Sequence, residues 1–191
     1  MSDADRDKWN QRYRDGAYGE RTHPSALLEQ WVDQAPPGRA LDIACGAGRN
    51  ALFLAGRGFE VDAIDVSAEG LARGGDSARE RGLDVNWIEH DLDAPLPQET
   101  RYQLIVLVRY VNLPLLRTLS RYLVPGGILL CEEHLVSDAE VIGPGNPAFR
   151  VSPGDLAAAA CDLDILHLHE GLVQEPDGRM AALAQLVAQN A

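Results

Sequence analysis

Short apolar segments alternate along the chain with longer segments whose apolar residues recur at helical spacing. Apolar runs rich in valine, isoleucine and leucine are typical of parallel strands that are covered on both faces. The pattern predicts five strands, which cover residues 39–44, 60–65, 84–88, 104–108 and 128–131. Helices are expected to begin near Arg49, Ser67 and Asn112. Such regular alternation of strands and helices predicts an α/β fold with a parallel sheet.

The connections between these elements carry their own signals. Pro125-Gly126-Gly127 predicts a turn that leads into the fifth strand, and two prolines within residues 92–101 predict a loop or at most one turn of helix there. Ser152-Pro153-Gly154-Asp155 combines an N-cap residue, a proline at the first helical position and an acid at N3. A helix is therefore expected to start at this segment.

The end of the chain follows a different pattern from the rest. Two further strands, at residues 163–169 and 180–188, flank the segment Glu175-Pro176-Asp177-Gly178. The Asp-Gly pair in that segment suits a hairpin turn. The full prediction is a doubly wound, mostly parallel, seven-stranded sheet of Rossmann-like type that ends in an antiparallel hairpin.

Composition narrows the class of protein. A chain of 191 residues can bury one hydrophobic core, so we expect a single domain over residues 1–191. No apolar run approaches the ~20 residues that a bilayer span needs, and residues 1–10 lack the apolar stretch of a secretory signal, which predicts a soluble cytoplasmic protein with no membrane partner. With 29 acids and 17 bases, the formal net charge of −12 repels a phosphate backbone, so no nucleic-acid partner is expected.

Metal binding is not expected either. The three cysteines, Cys45, Cys131 and Cys161, are widely spaced and match neither a disulfide framework nor a zinc site. Glu133 and His134 end the fifth predicted strand, but adjacent residues on a strand point to opposite faces of the sheet.

The most informative segment is LDIACGAGRN, residues 41–50, in which a buried strand runs into a glycine turn and then opens a helix. Gly46 and Gly48 permit a tight turn and a close approach of the backbone to a ligand, which predicts a cofactor site formed with Ala44 and Cys45. Residues 46–51 also satisfy the G-x-G-x-x-A pattern of dinucleotide-binding proteins.

Asp42 separates two classes of cofactor. A carboxylate at this position would repel the diphosphate of a nicotinamide or flavin cofactor by several kcal/mol at an effective dielectric near ~20. S-adenosylmethionine carries no phosphate, and its ammonium and sulfonium groups are cations. Asp42 therefore favours S-adenosylmethionine; the alternative interpretation is that it only holds the following helix or loop through backbone N–H groups.

Two further carboxylates follow the second and third predicted strands. Asp65 ends an apolar strand at the edge where open α/β sheets bind ligands, so it is expected, with Val66, to bind the two ribose hydroxyls of the cofactor. Its alternative role is to cap the next helix, although Ser67 is available for that. Asp91 and Leu92 follow the third strand, where a carboxylate and a backbone N–H can bind adenine.

With these residues in place, the chain resembles the class I S-adenosylmethionine-dependent methyltransferases, and most closely their tellurite-resistance and thiopurine-type small-molecule branch. The likeness includes Tyr18 with Arg21-Thr22-His23 before the first strand, and Asn146-Pro147-Ala148-Phe149 before the helix start at Ser152. The resemblance implies that an N-terminal helical segment, residues 1–35, covers the cofactor, which places Tyr18 and Arg21 at its methionine end and His23 at the acceptor entrance. Spacing alone makes Trp9 and Tyr13 the packed face of a short helix.

The sequence departs from this branch at two places. Ala44 stands where the first glycine of the turn is usual, and we expect the loop to persist with a modest backbone adjustment. The C-terminal hairpin reads Val173-Gln174-Glu175-Pro176 and has Arg179 as its only base, so it lacks the basic edge of the tellurite-type members.

The resulting hypothesis is a methyltransferase that acts on a small, soft or anionic acceptor. Arg109 interrupts the end of an apolar strand at the ligand-binding edge and either faces the acceptor or pairs with an acid such as Glu132 or Asp42. Arg109, His134 and His23 are the candidate catalytic residues. The alternatives are a nicotinamide-dependent oxidoreductase and a module that binds S-adenosylmethionine without turnover; the sequence leaves open whether the protein is a monomer or a homodimer.

Overall fold

The computed structural model describes residues 3–19, 21–97, 100–175 and 177–191. These residues form seven strands: β1 (Arg39–Ile43), β2 (Glu60–Asp65), β3 (Asn86–Glu89), β4 (Tyr102–Val108), β5 (Leu123–His134), β6 (Asp164–Gln174) and β7 (Met180–Gln189). They also form six α-helices: α1 (Asp3–Arg14), α2 (Ala26–Trp31), α3 (Arg49–Gly56), α4 (Ala68–Arg81), α5 (Leu113–Leu116) and α6 (Asp155–Ala159). Short 3-10 turns cover Val32–Gln34, Leu119–Tyr122 and Pro147–Phe149.

The strands make one sheet in the order β3-β2-β1-β4-β5-β7-β6. Pairs among β1 to β5 are parallel, whereas β7 runs antiparallel to both β5 and β6. The predicted mostly parallel seven-stranded sheet with a terminal hairpin is therefore confirmed. The strand order reverses between β1 and β4, and ligands of such folds bind outside the carboxyl ends of the strands at this switch point.

Helices cover both faces of the sheet, which is why its central strands are almost continuously apolar. One buried cluster packs α2, α3 and α4 on one face through residues such as Leu28, Leu54 and Leu71. The other cluster packs α5 and α6 on the opposite face through residues such as Leu116 and Leu156. None of the helices built by the described residues is long and apolar enough to cross a bilayer.

The predicted helix starts at Arg49, Ser67 and Asn112 are confirmed. Ser67 caps α4 because its side chain accepts a hydrogen bond from the Gly70 N–H at 3.1 Å. Asn112 caps α5 in the same way through the Leu115 N–H at 3.0 Å. Capping side chains satisfy backbone donors that a helix leaves without internal partners, so these local signals fix where the chain turns helical.

Several predicted boundaries are wrong. β6 ends at Gln174, five residues later than predicted, and β5 ends at His134, three residues later than predicted. The last helix begins at Asp155, three residues after Ser152, because Gly154 has a left-handed backbone with φ of 86° and Pro153 is therefore not its first helical residue. The fifth strand begins at Leu123, five residues earlier than predicted, and it runs through Pro125-Gly126-Gly127 with a register shift against β4. The proline and glycines mark an irregularity within a strand there, and the strand stays paired on both sides of it.

Candidate functional site

The glycine loop joins β1 to α3 at the carboxyl edge of the sheet. Ala44, Gly46 and Gly48 all have positive φ values, of 54°, 58° and 77°. Ala44 thus keeps the left-handed conformation that a glycine would adopt freely, and the loop persists as predicted. Any residue larger than glycine would clash at these two positions. A Cβ atom would overlap the Tyr13 hydroxyl at Gly46 and the Trp87 ring at Gly48.

Asp42 lies beneath this loop and is buried. Its Oδ2 accepts a hydrogen bond from the Ala51 N–H at 3.0 Å, so the carboxylate holds the first turn of α3 as the alternative interpretation proposed. Burial raises the pKa of Asp42 to about 7. No described residue forms an ion pair with Asp42, which leaves its charge without a cationic partner within hydrogen-bonding range.

Asp65 connects the glycine loop to the start of α4. Its Oδ2 accepts from the Gly46 N–H and its Oδ1 from the Ser67 N–H, each at 2.8 Å. Burial raises the pKa of Asp65, while these backbone donors act in the opposite direction. The hydrogen bonds fix the carboxylate at the end of β2 beside the glycine loop, and Ser67 takes the capping role.

The remaining residues predicted to hold the cofactor lie along the same edge. Val66 and Leu92 are buried, and Asp91 is partly exposed after the end of β3. The Asp91 Oδ1 accepts a hydrogen bond from the Asp93 N–H at 2.9 Å. This Asx-type contact shapes the loop after β3.

The N-terminal helix α1 packs against the glycine loop and α4. Asn10 Oδ1 accepts a hydrogen bond from the Ser67 hydroxyl at 2.8 Å, and the buried Tyr13 ring lies against Gly46 and Gly70. The predicted packed face of this helix is therefore confirmed for Tyr13, whereas Trp9 is only partly buried and its ring lies 6.5 Å from that of Tyr18. Burial, reinforced by the nearby Asp65, raises the pKa of Tyr13.

Tyr18, Arg21 and His23 lie in the chain between α1 and α2. The Tyr18 ring packs against Tyr13 with centroids 5.9 Å apart, and Arg21 lies over Tyr18 at 5.2 Å from the ring centre. His23 is exposed, and its backbone oxygen accepts a hydrogen bond from Arg49 Nη1 at 3.2 Å. Their predicted roles toward cofactor and acceptor stay predictions.

Arg109 is the centre of a side-chain network at the ends of β4 and β5. Its φ of 64° lies in the left-handed region, and its Nη2 is 3.2 Å from Glu132 Oε1 and 2.5 Å from Glu175 Oε1. Of the two interpretations that the sequence allowed, the structure shows the ion pair with Glu132. Arg109 Nη1 also approaches the His134 ring, 3.0 Å from Nδ1 and 3.1 Å from Nε2.

The same network contains residues that the sequence analysis did not identify. Gln185 donates to Glu132 Oε2 at 2.7 Å, and the Ser25 hydroxyl donates to Glu132 Oε1 at 3.5 Å. The Ser25 N–H in turn donates to Asn50 Oδ1 at 3.0 Å. No sequence signal joins these residues, because they come from four different parts of the chain and meet only in the folded sheet.

The two residues that end β5 differ in protonation. Glu133 accepts from the Tyr110 N–H at 2.9 Å through Oε1, its buried Oε2 has no hydrogen-bond partner among the described residues, and burial raises its pKa to about 8. For His134, burial, followed by the charges of Arg109, Arg150 and Arg21, lowers the pKa to about 3. At neutral pH the imidazole is therefore uncharged and the Glu133 carboxyl is mostly protonated.

The described residues at this edge do not form a metal site. Within residues 3–19, 21–97, 100–175 and 177–191, no three histidine, cysteine, aspartate or glutamate side chains are grouped as metal ligands. Cys45 and Cys131 are buried, and burial raises the pKa of both thiols.

Comparison with known proteins agrees with this geometry. Residues 40–127 match the sequence profile of a protein family described as a methyltransferase domain. The ribosomal RNA small subunit methyltransferase B of Thermus thermophilus is 34% identical over 84 residues, which are 44% of this chain and 21% of that protein. TehB of Haemophilus influenzae, described as a probable S-adenosyl-L-methionine-dependent methyltransferase, is 28% identical over 120 residues, 61% of this chain and 40% of TehB. The matched segments thus span well under half of these relatives.

The fold is shared with solved structures. The crystal structure of TehB from Haemophilus influenzae superposes with a TM-score of 0.76 at 20% identity and covers 95% of this chain and 67% of TehB. The [4+2]-cyclase SpnF superposes with a TM-score of 0.67 at 21% identity, over 92% of this chain and 81% of SpnF. In sequence over residues 40–127, and in fold, the chain therefore resembles S-adenosylmethionine-dependent methyltransferases, with TehB among the structures that share its fold.

Proposed function

We propose that the protein transfers the methyl group of S-adenosylmethionine to a small, anionic acceptor that has no proton to give up. This proposal rests on two groups of charged side chains that lie next to each other at one edge of the sheet. Buried carboxylates without ion-pair partners lie at the glycine loop, and next to them arginines surround an uncharged His134. The first group suits a cationic cofactor and the second suits an anion.

The cofactor half fits a ligand that carries positive charge and no phosphate. Asp42 and Asp65 form no ion pair with any described residue, and in their ionised forms they would repel an adjacent diphosphate by several kcal/mol at an effective dielectric of ~20. In the proposed complex Asp65 binds the ribose hydroxyls, Asp91 and Leu92 bind the adenine, and Asp42 faces the methionine end. S-adenosylmethionine supplies a methyl group that its sulfonium already activates, so the residues of this chain need to align and shield it.

The N-terminal segment supplies the shielding. Helix α1 reaches the glycine loop through Tyr13 and the α4 cap through Asn10, both close to Asp65. These contacts support the proposal that residues 1–35 cover the cofactor and exclude water from it. Exclusion of water strengthens each electrostatic interaction inside the site.

The acceptor half favours an anion that reacts without proton transfer. A general base works best when its pKa is near the operating pH, and the pKa of His134, at about 3, makes its ring a weak base. Glu132 is committed to Arg109, Ser25 and Gln185, and Glu133 is protonated at neutral pH. A thiolate or another soft anion needs no base. Arg21 and Arg150 supply positive charge near His134, whereas Arg109 is paired with Glu132 and Glu175.

Small acceptors are favoured over RNA by the charge of the chain. Several sequence relatives are named as ribosomal RNA methyltransferases, and the SpnF cyclase shares the fold, so neither family nor fold selects the acceptor. A net charge of −12 repels a phosphate backbone, whereas a single small anion needs only a local positive site.

Calorimetric titration of the purified chain with S-adenosylmethionine, S-adenosylhomocysteine and NAD tests the cofactor assignment. We expect micromolar binding of the first two and none of NAD; binding of NAD alone would overturn it. Transfer of a labelled methyl group to a panel of small thiols and oxyanions, with a ribosomal RNA fragment in parallel, then tests the acceptor. Binding without product across the panel would favour the module without turnover, and labelling of the RNA alone would overturn the small-acceptor proposal.

A further inference from the structure

A second concave surface lies beside the glycine loop, between Tyr18, Gly19, Arg21 and Thr22 on one side and the start of α3 and α4 on the other. It has a volume of about 250 Å³. Four arginines line it, Arg21, Arg49, Arg73 and Arg81, and we call this surface the arginine groove. Asp42, Asp65 and Asp91, the carboxylates proposed for the cofactor, are not among its lining residues, whereas Tyr18 and Arg21, predicted at the methionine end of the cofactor, are.

Three of the four arginines are positioned by neutral groups. Arg73 Nη1 donates to the Ala17 backbone oxygen at 3.0 Å, and Arg49 Nη1 donates to the His23 backbone oxygen at 3.2 Å. Arg21 lies over the Tyr18 ring at 5.2 Å. Contacts of this kind orient a guanidinium without neutralising its charge.

No carboxylate among the described residues forms an ion pair with any of the four. Asp76, the acid that lines the groove, instead accepts from Arg79 at 2.7 Å on the same helix. The chain has 29 acids and 17 bases, so unpaired arginines are not forced by a shortage of acids. Four like charges gathered around one cavity repel each other, and an anion in the cavity removes that repulsion.

We propose that the arginine groove binds a small phosphate-bearing molecule beside the glycine loop, at a site to which Arg49 of that loop contributes. Guanidinium groups match phosphate oxygens with paired N–H donors, and four of them can balance the double or higher charge of a phosphate or diphosphate. The volume of the groove holds a small molecule, and the net charge of −12 opposes a long polyanion such as RNA. Binding at this site can be measured without methyl transfer, although Arg21 also faces the proposed acceptor half.

Calorimetric titration of the full chain with inorganic pyrophosphate, at fixed ionic strength set with sodium chloride, tests the proposal. We expect saturable one-to-one binding that Arg81→Gln and Arg21→Gln each weaken about tenfold or more, because each removes charge-assisted hydrogen bonds. Neither side chain hydrogen-bonds a described residue, so both variants are expected to keep the wild-type thermal unfolding midpoint. Arg117→Gln, which changes an exposed arginine outside the groove, is the matched control and is expected to bind as wild type does.

Four results would overturn the proposal. In the first, the wild type does not bind pyrophosphate saturably, and in the second, both groove variants bind it as tightly as the wild type does. In the third, S-adenosylmethionine displaces pyrophosphate, which would assign the groove to the cofactor site. The fourth is tighter binding of a short single-stranded RNA than of pyrophosphate, lost in the same variants, which would assign the groove to a nucleic acid. Since the titration contains no cofactor or acceptor, its outcome is independent of whether methyl transfer is found.

Discussion

The two halves of the ligand-binding edge are built in different ways. Around the glycine loop, Asp42 and Asp65 accept hydrogen bonds from backbone N–H groups at most 19 residues away in the chain. Around Arg109, side chains bind side chains, across 66 residues to Glu175 and across 107 residues between Ser25 and Glu132. The first half is a local structure that a short sequence specifies, whereas the second exists only once the whole sheet has formed.

This contrast predicts different responses to substitution. A carboxylate held by backbone donors can lose its charge and leave the loop in place, because an amide oxygen still accepts from an N–H group. A buried network of charged side chains is coupled, since removal of one member leaves the others buried and unpaired. Loss of stability is therefore expected in the β4–β5 half, and loss of ligand affinity in the glycine-loop half.

The largest effect is expected from Arg109→Met. The change leaves Glu132 buried without its cation and Glu175 without a partner in the network, and breaking such a buried pair lowers the free energy of unfolding by about 3 kcal/mol. Methionine and arginine both carry a Cβ atom, so the left-handed backbone at position 109 costs both residues a similar free energy. Urea unfolding measures the loss.

Arg179→Met is the control for this prediction. Arg179 pairs with Asp177 on the hairpin, where both side chains are about half exposed, and removal of such a pair changes stability by at most about 1 kcal/mol. Equal losses from the two variants would show that the Arg109 network is no more coupled than a surface ion pair.

Asp65→Asn is expected to weaken S-adenosylmethionine binding by about 100-fold, because two hydrogen bonds from ribose hydroxyls lose a charged acceptor. The urea midpoint should change little, since the amide oxygen can still accept from one of the two backbone N–H groups. Titration calorimetry measures the affinity, and Asp162→Asn, at an exposed position, is the matched control. Unchanged affinity with a stable fold would remove the ribose assignment.

The same contrast explains what the sequence could predict. The glycine loop, the role of Ser67 as helix cap and the strand that ends at Asp65 depend on contacts within about 20 residues, and all three were predictable. Which acid pairs with Arg109 was left open, and Ser25 and Gln185 were missed altogether, because no local pattern shows which distant side chains will meet. The start of α6 was predicted wrongly for a related reason, since Gly154 adopts a left-handed backbone in place of helical geometry.

Glu133→Gln is expected to alter how stability depends on pH. The pKa of Glu133 is raised to about 8 in the folded protein from an ordinary value of 4.5, so the folded state binds more protons between these values and stability falls as pH rises through this window. Between pH 6 and pH 8 the wild type should therefore lose about 2 kcal/mol of unfolding free energy relative to Glu133→Gln, at most ~1.4 kcal/mol per pH unit. Urea unfolding at a series of pH values measures the difference.

His134, in the same network, changes the pH dependence of stability in the opposite direction. Its pKa is lowered from 6.5 to about 3, so the folded state binds fewer protons in that range and stability falls as pH drops. Glu133→Gln should leave this acid limb unchanged below pH 4, where the Glu133 carboxyl is mostly protonated in both states. Glu140→Gln, an exposed control, should parallel the wild type throughout. A parallel curve for Glu133→Gln itself would show that its carboxyl is not held protonated by burial.

The smallest effect is expected in the backbone of the glycine loop, from Ala44→Gly. Ala44 has φ of 54°, and a non-glycine residue in the left-handed region costs roughly 1–2 kcal/mol, which glycine avoids. Glycine also gains freedom in the unfolded chain, which offsets about 0.4–1 kcal/mol of that gain. The net expectation is an increase in unfolding free energy of about 0.5–1 kcal/mol.

Ala47→Gly is the matched control within the same loop, because Ala47 does not have a positive φ and glycine there should only destabilise, by about 0.4–1 kcal/mol. Opposite signs for the two variants in urea unfolding would establish that backbone conformation sets the energetics of this half of the site, whereas a loss from both would mean that the Ala44 side chain contributes packing which outweighs its backbone strain.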